Sequence, residues 1–220
     1  MKSVIYSLLS LGILLSATSC QSQQHHEKSE KDTQAAHQKK ETKSFTKAQR
    51  QQLKKDVLDI SDQVAKKQGL AVSNRYLSNG SYTNSDFYGL TNDGEIQVID
   101  NKKPGAKHFK IHNLVGVSMY TSNNQTEGYD EAAKQLSNIE GYQPVANMEQ
   151  PIKKYLFADN GKVYYYAFQS DESVTLSSGF SYKDYNDKDP NLKPNVIFKE
   201  TKNETLKKQW QKILEKSQDL

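Results

Sequence analysis

Cysteine is nearly absent from this chain: its 220 residues include one, Cys20. A disulfide framework within the chain is therefore excluded. A second long apolar run is also missing, because nothing after Val4 to Ala17 matches that stretch in length. Charge of one sign is lacking too. Thirty Lys and Arg stand against 26 Asp and Glu, a formal +4 with acids and bases interspersed, and nucleic acid is not indicated as a partner. The signatures of common catalysts are missing as well: there is no Gly-x-Ser-x-Gly elbow, no His-Glu-x-x-His and no phosphate-cradling Gly-x-x-x-x-Gly-Lys. Ser44-Phe45-Thr46-Lys47 has the Ser-x-x-Lys spacing of penicillin-interacting enzymes. It lies at the edge of a polar segment without a companion Ser-Asp-Asn or Lys-Thr-Gly, so chance accounts for it.

What is present begins with an address. Met1-Lys2-Ser3 is a short positive head, and the apolar stretch behind it ends in the small residues Ala17-Thr18-Ser19 just before Cys20. This order describes a secretory signal too short for a stable membrane span. Ala17-Thr18-Ser19-Cys20 resembles a bacterial lipobox, with alanine where leucine is more usual. The resemblance implies a lipid thioether on Cys20, and two acyl chains suffice for stable anchoring. The alternatives are a leftover thiol behind an ordinary cleaved signal, or a nucleophile with no pocket around it.

Gln21 to Ser44 is Gln, His, Lys, Glu, Ser and Thr with little apolar content. Such a composition cannot offset ordering entropy and reads as a tether, with a typical span of roughly 25 to 30 Å and a full reach of about 80 Å. The expected organisation is a signal at 1–19, a lipidated cysteine and tether at 20–45, and one globular domain at 46–220.

Within that domain Leu53, Val57, Ile60 and Val64 recur at helical spacing, after a Thr46/Gln49 capping-box pattern and before Gly69. The period then shortens. Phe87 to Leu90 and Glu95 to Ile99 flank Asn92-Asp93-Gly94, while Tyr155 to Ala158 and Lys162 to Phe168 flank Asp159-Asn160-Gly161; both read as hairpins. Further strands are expected at Phe109 to Ile111, Leu114 to Tyr120, Val174 to Leu176 and Val196 to Lys199, with a short helix over Asp130 to Leu136. A last helix spans Asn203 to Lys216, with Leu206, Trp210, Ile213 and Leu214 on one stripe and a Thr201/Glu204 capping spacing. The fold expected from these elements is α+β: an antiparallel β-sheet meander packed on one face by an N-terminal and a C-terminal helix.

Leu114-Val115-Gly116-Val117-Ser118-Met119-Tyr120, Tyr155-Leu156-Phe157 and above all Phe198-x-x-Thr201-x-Asn203-x-x-Leu206 resemble the uncharacterised surface lipoproteins of Gram-positive bacteria grouped as domain-of-unknown-function 4767. The resemblance covers roughly residues 50 to 215. It implies a secreted α+β domain and assigns no catalytic or binding residue. The first helix departs from the family pattern, with Leu, Val and Ile where aromatics and Met are usual. Thr201 and Asn203 read, on their own chemistry, as organisers of a helix start.

Several side chains invite a functional reading. His25, His26 and His37 lie in the tether, where solvated low complexity is the plainer account. His108 and His112 flank an expected strand, a spacing of about 13 Å that is too wide for one metal. Asp184 to Asp189 concentrates oxygen ligands without the EF-hand pattern. Thirteen tyrosines gather in the strands, and in Val163 to Phe168 both faces carry aromatics. One face belongs to the core. The other, with Tyr164, Tyr166 and Phe168, is a candidate binding face, weighed against cross-strand aromatic pairing that only stabilises the sheet.

The expected function is a membrane-anchored, extracytoplasmic, non-catalytic binding domain at the outer cell surface, without cofactor, meeting a surface protein or glycan. The alternatives are an envelope hydrolase working through a carboxylate pair and a metal- or solute-capturing lipoprotein.

Overall fold

The computed structural model describes residues 45–77, 84–133, 138–183 and 193–217. Cys20, the tether, the Asp184 to Asp189 segment and the second half of the expected Asp130 to Leu136 helix lie outside them. Helix α1 runs Lys47–Lys67, capped by Thr46 and Gln49 in a reciprocal box, and buries Leu53, Val57, Ser61, Val64 and Ala65. Nine strands follow: β1 (Ala71–Ser73), β2 (Phe87–Thr91), β3 (Gly94–Ile99), β4 (Ile111–Tyr120), β5 (Gly128–Tyr129), β6 (Ile152–Ala158), β7 (Val163–Phe168), β8 (Ser181–Tyr182) and β9 (Ile197–Glu200). Helix α2, Glu204–Lys216, closes the described chain.

The open meander expected from the sequence is corrected here: six strands close on themselves. Around the ring the order is β2, β3, β4, β6, β7, β9 and back to β2, while β1, β5 and β8 are additions outside it. Four ring contacts are antiparallel. The other two are parallel, Ile96 opposite Ile111 between β3 and β4, and Leu90 opposite Ile197 between β2 and β9. The physical reason lies in β6 and β7, which are apolar on both faces. Helices can cover only one face, and curling the sheet covers the other while leaving little open edge.

Side-chain alternation divides these strands cleanly. Tyr155, Phe157 and Val163 point outward with Val115, Val117 and Met119, and pack under Leu53 and Val57 of α1 and Leu206, Trp210 and Leu214 of α2. The Trp210 indole N–H donates to the Ala158 carbonyl at 3.0 Å. Burying each of these large side chains contributes about 1.5–3 kcal/mol. Inward, Ile96, Leu156, Tyr164, Phe168, Phe180 and Phe198 fill the barrel. The Phe180 and Phe198 rings stack at 5.1 Å.

Local departures have local causes. Val174 to Leu176 is not a strand: Thr175–Ser177 forms a 3-10 turn with Leu176 at φ 48° and Ser177 at φ 50°. Glu131 to Ala133 is turn rather than helix, because the Asp130 carboxylate takes the Ala132 N–H at 2.9 Å and the Asp130 carbonyl takes the Ala133 N–H. The cap of α2 is Asn203, whose side chain accepts from Leu206 N–H at 3.0 Å, while Thr201 accepts from Asn203 N–H at 3.1 Å. Phe198, Thr201, Asn203 and Leu206 thus form one corner. Phe198 sits in the barrel, Thr201 donates its N–H to the Val163 carbonyl, and Leu206 sits under α1.

Candidate functional site

Strand β4 is longer than its neighbours, and this length opens a cleft. On one edge it pairs with β3 only at Ile111 and His112, and with β1 only from Ser118 to Tyr120. Between them, among the described residues, no strand pairs that edge from Asn113 to Val117. A β-bulge between Asn113 and Val115 adds local twist there. The gap is a cleft of about 450 Å³, walled by the first half of α1, the segment after β1 and the end of β3. That volume is within the usual range for a small-ligand site.

Three cations line it, Arg50 and Lys54 from α1 and Arg75 from the segment after β1. Spacing of four residues puts Arg50 and Lys54 on one helix face. No carboxylate lines the cleft, and none of the three cations forms an ion pair among the described residues. Arg75 is held through its backbone, its carbonyl accepting from the Tyr142 hydroxyl at 2.6 Å and its N–H donating to Ser73 Oγ at 3.0 Å.

The floor is Tyr76 against β4. Gly116 makes this packing possible, since a Cβ there would stand 2.5 Å from the Tyr76 ring. Burial pushes the Tyr76 phenol up to about 12, so it stays neutral at physiological pH. Its oxygen accepts from Asn113 Nδ2 at 2.9 Å. Asn113 Oδ1 is buried and has no hydrogen-bond partner. Arg50 Nε donates to the Phe45 carbonyl at 3.3 Å, but no carboxylate neutralises its charge among the described residues. An unpaired buried acceptor beside cations that lack a carboxylate partner suits an anion that also brings an O–H or N–H donor.

The residues singled out from the sequence lie elsewhere. Tyr164 and Phe168 are buried inside the barrel, at 0% and 1% exposure. The Tyr164 hydroxyl donates to Asp93 at 2.7 Å and accepts from Asn160 at 2.8 Å, stitching the two hairpin turns together. Tyr166 is half-buried against Phe168, with its hydroxyl on Glu172. The opposite face carries the stacked pair Tyr155 and Tyr165 at 5.7 Å. His108 is exposed, whereas both ring nitrogens of His112 are used: Nδ1 meets Asp159 at 2.7 Å and Nε2 the Ala106 carbonyl at 2.9 Å. Both partners are acceptors, so the two bonds are made together only by the protonated ring. Burial opposes that charge, but the bonds to Asp159 and Ala106 outweigh it and raise the pKa. No cluster of three or more metal-ligating side chains occurs among the described residues.

Sequence reasoning missed the cleft because Arg50, Lys54, Arg75 and Asn113 come from three separate segments. Only the glycine within the apolar run Leu114 to Val117 hints at a close approach. Comparison with protein-family models, with curated proteins and with solved structures gives no match for this chain.

Proposed function

We propose that this chain is a lipid-anchored, extracytoplasmic binding domain, held at the outer face of the membrane by a lipidated Cys20, whose cleft takes an anionic glycan. The cationic cleft carries this reading: among the described residues, Arg50, Lys54 and Arg75 line one cavity without a carboxylate, beside the unpaired Asn113 oxygen. A sugar bearing phosphate or carboxylate offers both the charge and a hydroxyl donor. The module is non-catalytic in this reading. Asp62 and Asp93, held low chiefly by hydrogen bonds from Lys66 and Lys162 respectively, lie outside the cleft. The likeness to Gram-positive surface lipoproteins belongs to the same proposal.

Calorimetric titration with a sugar phosphate tests the site. Binding is expected for the natural chain, with a loss of at least tenfold in Arg75→Gln and in Asn113→Leu. Equal affinity in both variants excludes the cleft. For the address, the natural protein is expected in the membrane fraction and Cys20→Ala in the soluble fraction; identical partition rules out the anchor.

A further inference from the structure

The loop joining β3 to β4, residues 100–110, starts beside Ile99 and ends before Asn113, and both of these line the cleft. It is held from within. Asp86, fully buried, accepts from the backbone N–H groups of Asn101 at 2.6 Å, Lys103 at 3.2 Å and Gly105 at 2.6 Å, and from the Gln97 amide at 3.1 Å. The Asp86 N–H donates back to the Lys103 carbonyl at 2.7 Å. At the far end His112 Nε2 donates to the Ala106 carbonyl. Outward, the same loop exposes Lys103, Lys107 and Lys110, none of them ion-paired among the described residues, whereas Lys102 is taken by Asp100. A loop whose backbone is pinned at four of its residues presents these lysines at little further ordering cost.

From this we infer that the loop and the cleft form one cationic track for a linear polyanion, a glycan polymer bearing phosphate along its length rather than a single small anion. The inference rests on the cleft being a binding site and extends it along the loop. Charge complementarity sets the sign of the partner, and shape sets its form. A flat bilayer can touch an exposed loop, but it cannot enter a cleft recessed between α1 and β4, whereas a polymer strand can lie in the cleft and continue over the loop. The near balance of charge across the whole chain makes these cations, three lining the cleft and three on the loop beside the neutralised Lys102–Asp100 pair, a local feature and not a reflection of overall basicity.

The test uses the full-length chain with three probes: long-chain inorganic polyphosphate, orthophosphate, and phosphatidylglycerol vesicles. A loop variant (Lys103→Gln, Lys107→Gln, Lys110→Gln) is compared with a cleft variant (Arg50→Gln, Lys54→Gln, Arg75→Gln), after circular dichroism shows both folded. Six contacts at about 0.7 released counterions each give a slope of log affinity on log salt near −4 for the natural chain, and about −2 for either variant. Polymer binding is expected to weaken roughly 10- to 100-fold in the loop variant at low salt, with orthophosphate binding unchanged. If the loop variant keeps natural affinity and slope while the cleft variant loses both, the track is refuted and the cleft stands alone. If neither variant changes polymer binding, both readings fail. Vesicle binding as tight as polymer binding, with the same loop dependence, overturns the polymer in favour of a membrane surface.

Discussion

Lys154 on β6 points into the barrel with no exposure to solvent. Its ammonium donates to the Ser178 carbonyl at 2.9 Å and lies 5.2 Å from the centre of the Phe168 ring and 5.3 Å from that of Phe180. Carbonyl and ring faces favour the charge. Burial outweighs these and the attraction of the Glu140 carboxylate, and lowers the pKa to about 7, against about 10.5 for the unfolded chain. The sign follows from proton counts. Between these two values the unfolded lysine holds a proton that the folded one has shed, so stability rises with pH. Integration from pH 6 to pH 9 gives a gain of about 3 kcal/mol from this one group. Lys154→Met keeps most of the stem and removes the titration. Urea unfolding of both proteins at the two pH values should show methionine favouring the fold by about 3 kcal/mol more at pH 6 than at pH 9. If the difference between the proteins is the same at both pH values, the buried amine does not titrate as argued.

His112 works in the opposite sense, and His112→Gln isolates it. Its folded pKa is raised, so its stabilisation is complete below about 6.5 and is lost as pH climbs through the folded value. Glutamine should therefore cost more at pH 5.5 than at pH 8.5, and a pH-independent cost would rule out the imidazolium. Asp86→Ala strands three backbone donors and the Gln97 amide, and should cost at least about 3 kcal/mol. A melting-point fall of less than about 3 °C would show that the loop is pinned by something else. Gly116→Ala drives a methyl into the Tyr76 ring and should cost about 1–3 kcal/mol. Added to Tyr76→Ala, the same change should cost almost nothing, and full additivity in that cycle would separate the two residues.

The helices and hairpins were legible because their signals are local. Thr46 with Gln49, the stripe from Leu53 to Val64, and the Asp93-Gly94 and Asn160-Gly161 turns each carry their information within a few residues. The barrel was not legible, since its two parallel closures join strands that no tight turn connects. The aromatics on both faces of Val163 to Phe168 did pose the right question, that of what covers the second face. The short strands β1, β5 and β8 have too few residues for alternation to register. The cleft depends on where β3 and β1 stop pairing along β4, which is a fact of register that composition does not encode.

The pairing of Leu90 with Ile197 sets an order of events for a chain made from its N-terminus. Hairpins β2–β3 and β6–β7 can zip as soon as their own residues are free, yet the ring stays open until β9 arrives and lies parallel to β2. Loop closure over that separation is slow compared with hairpin formation. Until then the second faces of β6 and β7 lack the strand that completes their enclosure. Closure of the ring thus acts as a timer that withholds the rigid state until the residues of β9 are free to pair.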